Sequence, residues 1–165
     1  MSGSPTPVLD PEQGEFVCSG VSISAASCRS GGLPNLARAT GARLSPNRRT
    51  ATVLFAATPA AGLLEDVRRS ATIAVVFSLP TSHRTLQVKG TDARIVPLEP
   101  GDRELAARYV DAFVATLEPL GYPGPVIRRV LASHPDDLVA VCFTPSSGYS
   151  QTPGPEAGVP LRSGA

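Results

Sequence analysis

Short apolar runs, alternating in some places and continuous in others, predict six β-strands along the chain. In one of them Val21, Ile23 and Ala25 alternate with polar or small residues, which is the period of a half-buried strand. Others are rich in β-branched residues (TATVLFA) or continuously apolar (TIAVVF). Gly90 lies inside another, where a glycine indicates a bulge or a sharp bend. The predicted strands span residues 21–28, 33–44, 50–56, 72–77, 86–96 and 137–144.

Four other segments carry helical signals. Asp10 followed by Pro11 and Glu12 supplies an N-cap, a proline at the first helical position and an acid in the first turn. Thr58 with Pro59 repeats the first two of these signals. The longest helix is predicted where apolar residues recur at helical spacing. The predicted helices span residues 10–18, 58–69, 99–117 and 123–133.

The order of these elements predicts one α+β domain. The alternation of strand and helix that builds a parallel sheet is absent, which favours a small antiparallel split β-barrel of about six strands with flanking helices. We expect a flexible N-terminal arm at residues 1–9 and the barrel domain at 10–152. The proline- and glycine-rich tail at 153–165 is expected to be disordered.

Composition narrows the classes of function. The 165 residues are 42% hydrophobic and 18% charged, with a formal net charge of +1, which suits one globular domain. The chain lacks the basic stripe expected of a nucleic-acid-binding protein, and its apolar runs are too short to cross a membrane. Cys18, Cys28 and Cys142 form no Cys-x-x-Cys pair. We therefore predict no metal site and a reduced, cytoplasmic setting.

Three stretches, taken in order, resemble the FMN-binding split-barrel proteins related to pyridoxamine 5′-phosphate oxidase. They are LARAT at 36–40, VLFAAT at 53–58 with the helix and strand that follow, and HRTLQVKG at 83–90. The resemblance covers roughly residues 21–152. It implies a homodimer with a cofactor cleft at the subunit interface, bound FMN and a small-molecule substrate.

The same resemblance assigns residues to the cofactor. Arg38 would direct a cation toward the flavin phosphate, and Thr58 would offer its hydroxyl and the N–H groups of a helix start. Gln87 would hydrogen-bond the polar edge of the flavin ring, and Gln151 would reach toward the partner subunit's cofactor. The implied cofactor-binding residues are Arg38, Ala39, Thr40, Ala57, Thr58, Arg84, Thr85, Gln87 and Gln151.

Departures from the family pattern bear on function. Members that bind the cofactor tightly carry an Arg-Lys pair after the third strand, where this chain has Gly62 and Leu63. The C-terminal segment lacks the aromatic and basic residues that bind substrate in pyridoxamine phosphate oxidase, so we expect this chain not to be an authentic oxidase of that substrate. Asp136 and Asp137 are expected to form a solvated acidic corner. No residue stands out as a catalytic acid or base, and a lone loop histidine such as His83 is more often neither catalyst nor ligand.

These features leave three hypotheses for the function. The first is a flavin-dependent oxidoreductase that acts on an unknown small molecule. The second is a non-catalytic protein that binds flavin or haem in a degenerate cofactor site, and it follows from Gly62 and Leu63. The third is a structural dimer without a ligand.

Overall fold

The computed structural model describes residues 8–161, in which one open sheet contains eight antiparallel strands. The strands are β1 (Ser22–Ser27), β2 (Asn35–Leu44), β3 (Ala51–Ala56), β4 (Ile73–Ser78), β5 (Thr85–Gly90), β6 (Arg94–Val96), β7 (Leu138–Phe143) and β8 (Ser147–Ser150). Their order across the sheet is β6-β7-β3-β2-β1-β4-β5-β8. The predicted antiparallel α+β fold is confirmed, whereas the expected number of about six strands is too low.

The two additional strands have different origins. The predicted strand 86–96 is divided, because β5 ends at Gly90 while β6 pairs with β7 at the opposite edge of the sheet. β8 lies in the segment TPSSGYS, which has no run of apolar residues. It forms by pairing along β5, from Leu86–Ser150 to Lys89–Ser147. Tertiary pairing, which a local pattern does not report, therefore defines β8.

Four α-helices flank the sheet within the described residues. They are α1 (Pro11–Val17), α2 (Ala61–Ser70), α3 (Asp102–Leu117) and α4 (Gly124–Val130). α1 begins as predicted, with a capping box in which an Asp10 carboxylate oxygen accepts from the Gln13 N–H at 2.8 Å. α2 begins later than predicted: its N-cap is Ala60, so the predicted N-cap at Thr58 is wrong. None of these helices is long and apolar enough to span a membrane.

The N-terminal end of the described chain packs on the barrel. Leu9 is buried in the core, and Arg48 Nε donates to its carbonyl oxygen at 3.1 Å. The rest of the predicted flexible arm, residues 1–7, lies outside the described residues.

The C-terminal segment turns back along β8. Within the predicted disordered tail, the Gly158 N–H donates to the Ser150 carbonyl at 2.7 Å and the Leu161 N–H donates to the Gly148 carbonyl at 2.9 Å. Leu161 also packs against the core. The last part of that tail, residues 162–165, lies outside the described residues.

Burial divides the sheet into two halves. In the closed half (β6, β7 and β3) the side chains of β3 are buried on both faces. In the open half (β1, β4, β5 and β8) buried and accessible residues alternate along β1, β4 and β5. β2 joins the halves: its residues 35–38 are accessible and its residues 39–42 are buried, with an irregular register between Ala39 and Ala42. α3 packs on β2 at this point.

Candidate functional site

The open half of the sheet, together with the start of β2, has one face on which no side chain is fully buried. Strand residues alternate between the two faces of a sheet, and cross-strand pairs share a face. The pairing of β2, β1, β4, β5 and β8 therefore places one set of side chains together. We call this set the outer face, and it comprises Ser22, Ser24, Ala26, Leu36, Arg38, Ala74, Val76, Ser78, Thr85, Gln87, Lys89, Ser147 and Tyr149.

One row of the outer face joins two predicted site residues. Arg38 pairs with Ser24, Ser24 with Val76, Val76 with Gln87, and Gln87 with Tyr149. Adjacent strands are about 4.8 Å apart, so the backbones of Arg38 and Gln87 are separated by about 14 Å. Only the small side chains of Ser24 and Val76 lie between them in this row. We call this row the floor of the outer face: it has the Arg38 guanidinium at one end and the Gln87 amide toward the other.

The side chain of Arg38 extends from this row toward the beginning of β1. Its Nη1 lies 3.3 Å from the Ser22 hydroxyl, and its guanidinium lies 5.4 Å from the centre of the Phe113 ring. These three residues and His83 help to line a groove of about 730 Å³, with apolar residues of α3 and α4 on its other wall. No aspartate or glutamate is among the described residues that line the groove.

Thr58, the second predicted phosphate ligand, already binds a carboxylate of the protein. Its N–H lies 3.1 and 3.2 Å from the two carboxylate oxygens of Asp137, and its hydroxyl donates to one of them at 2.8 Å. The Ala57 N–H donates to the Asp137 main-chain carbonyl at 2.6 Å. The Thr58 corner therefore carries a negative charge and does not fit a phosphate dianion, which needs cations and free donors.

The start of α2 also lacks cations, for a packing reason. A side chain at Gly62 would place its Cβ 2.7 Å from the Asn35 side-chain oxygen, so the helix approaches β2 too closely for an arginine there without a shift. Asn35 is held in place by its amide, which donates to the Asp66 carboxylate at 2.6 Å. Leu63 is 1% exposed and belongs to the core. The departure from the family pattern is thus built into the packing of α2 on β2.

Arg38 and Thr58 bind different partners in the structure, Ser22 and Asp137 respectively. β2 pairs with β3 at Ala39–Phe55, and continuing this register places Thr58 near the beginning of β2. The Arg38 guanidinium reaches the other way, toward Ser22.

Arg84 and Thr85 point to opposite faces of the sheet. Arg84 forms an ion pair with Glu12 at 3.1 Å and lies 4.5 Å from the centre of the Phe16 ring, so it packs on α1. Thr85 lies on the outer face, where its hydroxyl is 2.8 Å from that of Ser78. The two residues therefore do not share one ligand.

The remaining predicted residues lie in different parts of the structure. Ala39 is in the core at 1% exposure, and Thr40 is buried at 9% and lines a second cavity beneath α3 and α4. Gln151 is exposed and contacts Thr85 through its main-chain N–H at 2.8 Å. The structure thus unites Arg38, Thr85 and Gln87 on the outer face. Assignment of any of the predicted residues to a cofactor stays a prediction.

The groups on the outer face that could act as an acid or a base are Lys89 and Tyr149. Among the described residues it holds no aspartate, glutamate, histidine or cysteine, and residues 8–161 contain no cluster that could bind a metal ion. Behind Arg38, Tyr109 stacks on Phe113 with ring centroids 5.8 Å apart. Burial raises the pKa of the Tyr109 hydroxyl to about 12, although nearby Arg38 lowers it. This hydroxyl is therefore neutral at ordinary pH.

Sequence reasoning missed Asp137, which it treated as a solvated corner. The hydrogen bonds from Thr58 to Asp137 join residues 79 positions apart, and no local pattern reports such a contact. It also missed the floor of the outer face, whose small residues carry no motif. Strand alternation, however, is a signal that could have placed Ser22 and Ser24 with Arg38.

Comparison with known proteins gives structural matches only. No protein-family model and no curated protein matches this chain. The crystal structure of HupZ from Group A Streptococcus superposes with a TM-score of 0.54 at 13% identity, covering 91% of this chain and 100% of that one. A putative pyridoxamine 5′-phosphate oxidase from Lactobacillus delbrueckii gives 0.53 at 13% identity, over 86% and 93%. An F420 reductase gives 0.51 at 13% identity, over 84% and 98%.

Identities this low bear on the fold alone. The matches cover nearly the whole of each chain and include proteins named for pyridoxamine phosphate oxidase and for F420 reduction. The fold of this chain is therefore the split barrel of the proteins related to pyridoxamine 5′-phosphate oxidase.

Proposed function

We propose that this protein is a homodimer that binds a flavin across its outer face and uses it to oxidise or reduce a small molecule. The observation that carries the proposal is the outer face itself, on which no side chain is fully buried and the small side chains of Ser24 and Val76 separate Arg38 from Gln87. Support also comes from the fold, since one structure that shares it is an F420 reductase and another is a putative pyridoxamine phosphate oxidase.

Gln87 is the residue best suited to hold the flavin ring. Its side-chain amide makes no hydrogen bond within residues 8–161, although it is half-buried between Val76 and Tyr149. An amide supplies both a donor and an acceptor, as the polar edge of a flavin requires. Thr85 lies on the same face and adds a hydroxyl. The bound flavin would supply hydride or single-electron transfer, and the protein would supply position and electrostatics.

A second copy of the chain would complete this site. Within the described residues, α3 and α4 wall the outer face only at its Ser22, Arg38 and Ser78 end, so a ligand that lies along the rest of the face would be exposed to solvent in a monomer. Leu36 on the outer face is 70% exposed, and Leu33 in the preceding loop is 87% exposed. Apolar surface of this kind is typical of an interface, and a two-fold axis would bring two such faces together.

The test is the retention and reduction of flavin. The purified protein is incubated separately with riboflavin and with FMN, desalted, and examined by absorbance. We expect about one flavin per subunit of a dimer, and bleaching by NADPH followed by reoxidation when an electron acceptor is added. If neither flavin is retained nor binds in a titration at micromolar concentrations, the proposal is wrong.

A second candidate is a binding protein without turnover. The absence of acids and histidines on the outer face and the occupied Thr58 corner both favour it. This alternative is established if the flavin stays bound but is not reduced by NADPH. After chemical reduction with dithionite, the bound flavin should also fail to pass its electrons to the added acceptor. Titration with haemin tests haem in the same experiment, and His83 at the groove is the one histidine near the outer face among the described residues.

A further inference from the structure

The Thr58 corner already holds an anion, and that anion belongs to the protein. The Asp137 carboxylate accepts from the Thr58 N–H at 3.1 Å and from the Thr58 hydroxyl at 2.8 Å. A hydroxyl and a main-chain N–H at a turn between strand and helix are the donors that a phosphate uses in such a place. Asp137 thus occupies the hydrogen bonds that a cofactor phosphate would need.

The sheet holds the main chain of Asp137 beside Thr58. Asp137 directly precedes β7, whose first residue, Leu138, pairs with Ala56 at the end of β3. The Ala57 N–H binds the main-chain carbonyl of Asp137 at 2.6 Å. The main chain of Asp137 is thus fixed beside Thr58, which keeps the carboxylate within reach of both donors, so a ligand phosphate would have to displace it from these hydrogen bonds.

Charge opposes a phosphate at the same corner. A phosphate monoester carries about −1.5 to −2 charges at pH 7, and a second anion within hydrogen-bond distance of a carboxylate is disfavoured. The Arg-Lys pair of the family pattern, which would offset this repulsion, is missing, since positions 62 and 63 are Gly62 and Leu63. Arg68 and Arg69 of α2 form ion pairs with Glu65 at 3.6 and 2.7 Å instead.

From these contacts we infer that Asp137 is a specificity-determining residue that selects flavins without a terminal phosphate. The preferred ligand class is a riboflavin-type flavin, whose ribityl chain ends in a hydroxyl and brings no charge to Thr58. The inference rests on the proposed function, because it concerns the ligand of the same site.

The test compares two ligands that differ only in the phosphate. Riboflavin and FMN are titrated into the wild-type protein by calorimetry at about 0.15 M salt, where distant charges are screened. We expect riboflavin to bind at least as tightly as FMN. Asp137→Asn removes the charge but keeps an oxygen that accepts from Thr58, so the fold is retained. This variant should bind FMN about tenfold more tightly than the wild type, which is about 1.4 kcal/mol, with riboflavin unchanged within twofold.

Asp136→Asn is the matched control. It removes the same charge one position away, from a residue that lies 3.7 Å from Arg103 and makes no contact with Thr58. We expect no gain in affinity that is specific to FMN. The reason is that Asp137 acts by occupying the Thr58 donors, and a change in the net charge of the protein alone should not favour FMN. Adding Thr58→Val to Asp137→Asn should abolish the gain, since it removes the hydroxyl donor.

Three results separate failure of the inference from failure of the proposed function. Wild-type protein that binds FMN tenfold more tightly than riboflavin would overturn the inference, and this comparison needs no variant. An equal FMN gain in Asp136→Asn and Asp137→Asn would also overturn it. If neither flavin binds the wild type or any variant, the proposed function itself is wrong and the inference falls with it.

Discussion

The closed and open halves of the sheet have the same antiparallel pairing but differ in how many of their faces are buried. In the closed half, Leu54 and Phe55 are neighbours on β3, point to opposite faces and are both 0% exposed. In the open half, Ile23 is 1% exposed while its neighbour Ser24 is exposed. The core therefore needs only one face of the open half. The other face has no fully buried side chain, and it carries small residues between Arg38 and Gln87, which is why we assign it to a ligand and a second subunit.

The largest expected effect comes from blocking the outer face at its centre. Ser24→Arg would place a long cation between Arg38 and Val76, where it repels its symmetry mate and covers the floor. We expect the dimer to become a monomer and flavin affinity to fall about a hundredfold, with the fold intact. Sedimentation and flavin titration measure the two effects.

Ser133→Arg is the control for this change. It adds the same bulk and charge at an exposed position beyond α4, away from the outer face. A dimer that survives Ser24→Arg, or that Ser133→Arg dissociates equally, would contradict the assignment of the outer face.

The second prediction concerns β2, which joins the two halves and is tied to α3 by an ion pair with a buried carboxylate. Arg43 donates to the Asp102 carboxylate at 2.8 and 3.3 Å, and the Glu99 N–H donates to it at 2.8 Å. Asp102 is 2% exposed. Asp102→Asn removes the charge from these bonds, so the free energy of unfolding should fall by about 2 kcal/mol. Urea denaturation checks this, and flavin affinity should not change.

The same carboxylate predicts a pH dependence. Burial raises the pKa of Asp102, but the bonds from Arg43 and Glu99 outweigh burial and hold the pKa below its usual value. A folded pKa below the unfolded one means that the stabilisation is present above about pH 4 and is lost as the pH falls through the folded pKa. The stability difference between wild type and Asp102→Asn should therefore shrink from about pH 5 to pH 2. A constant difference over that range would contradict the assignment.

The third prediction tests the place where the two halves meet inside the barrel. A Cβ at Gly90 of β5 would lie 2.5 Å from Phe143 Cδ2 and 3.0 Å from the Thr144 carbonyl oxygen. Gly90→Ala should therefore lower the free energy of unfolding by about 1–3 kcal/mol through overpacking. The exposed neighbour on the outer face supplies the control, since Lys89→Ala removes only a contact of its ammonium with the Tyr149 ring at 5.2 Å and should lower stability by about 0.5 kcal/mol. Equal losses would mean that contact with Phe143 is not the cause.

Gly90 also shows how far the sequence predicted the fold. Local pattern located β1, β3, β4 and β7 because each buries apolar side chains. The glycine was recognised as a break, but the pattern could not show that the chain leaves β5 there and joins the opposite edge as β6. β8 has no apolar pattern, since Gly148 is its one buried residue.

The candidate site was harder to predict than the fold. Its composition depends on which face of the sheet each side chain lies on and on long-range contacts, and residue types alone report neither. Arg84 and Thr85 were both assigned to the cofactor, but β5 begins at Thr85, one residue before the predicted strand, so Thr85 lies on the outer face while Arg84 contacts α1. Thr58 was assigned as a free donor, and only the fold brings Asp137 to it. Arg38 and Gln87 were placed on separate strands, and the register puts them in one row.

The smallest expected effect concerns Gln87, on the outer face of the open half. Gln87→Ala removes the amide proposed to hydrogen-bond the flavin edge, and one such bond contributes about 1 kcal/mol. We expect riboflavin and FMN to lose affinity alike, by about fivefold, because the ring is common to both. Gln151→Ala is the matched control, since this exposed side chain lies beyond β8 and only its main chain contacts Thr85. Calorimetry measures the flavin affinity of both variants. Equal losses of affinity would indicate that the flavin ring lies near the end of β8 and not at Gln87. A loss confined to Gln87→Ala would indicate that the ring lies over the row that begins at Arg38.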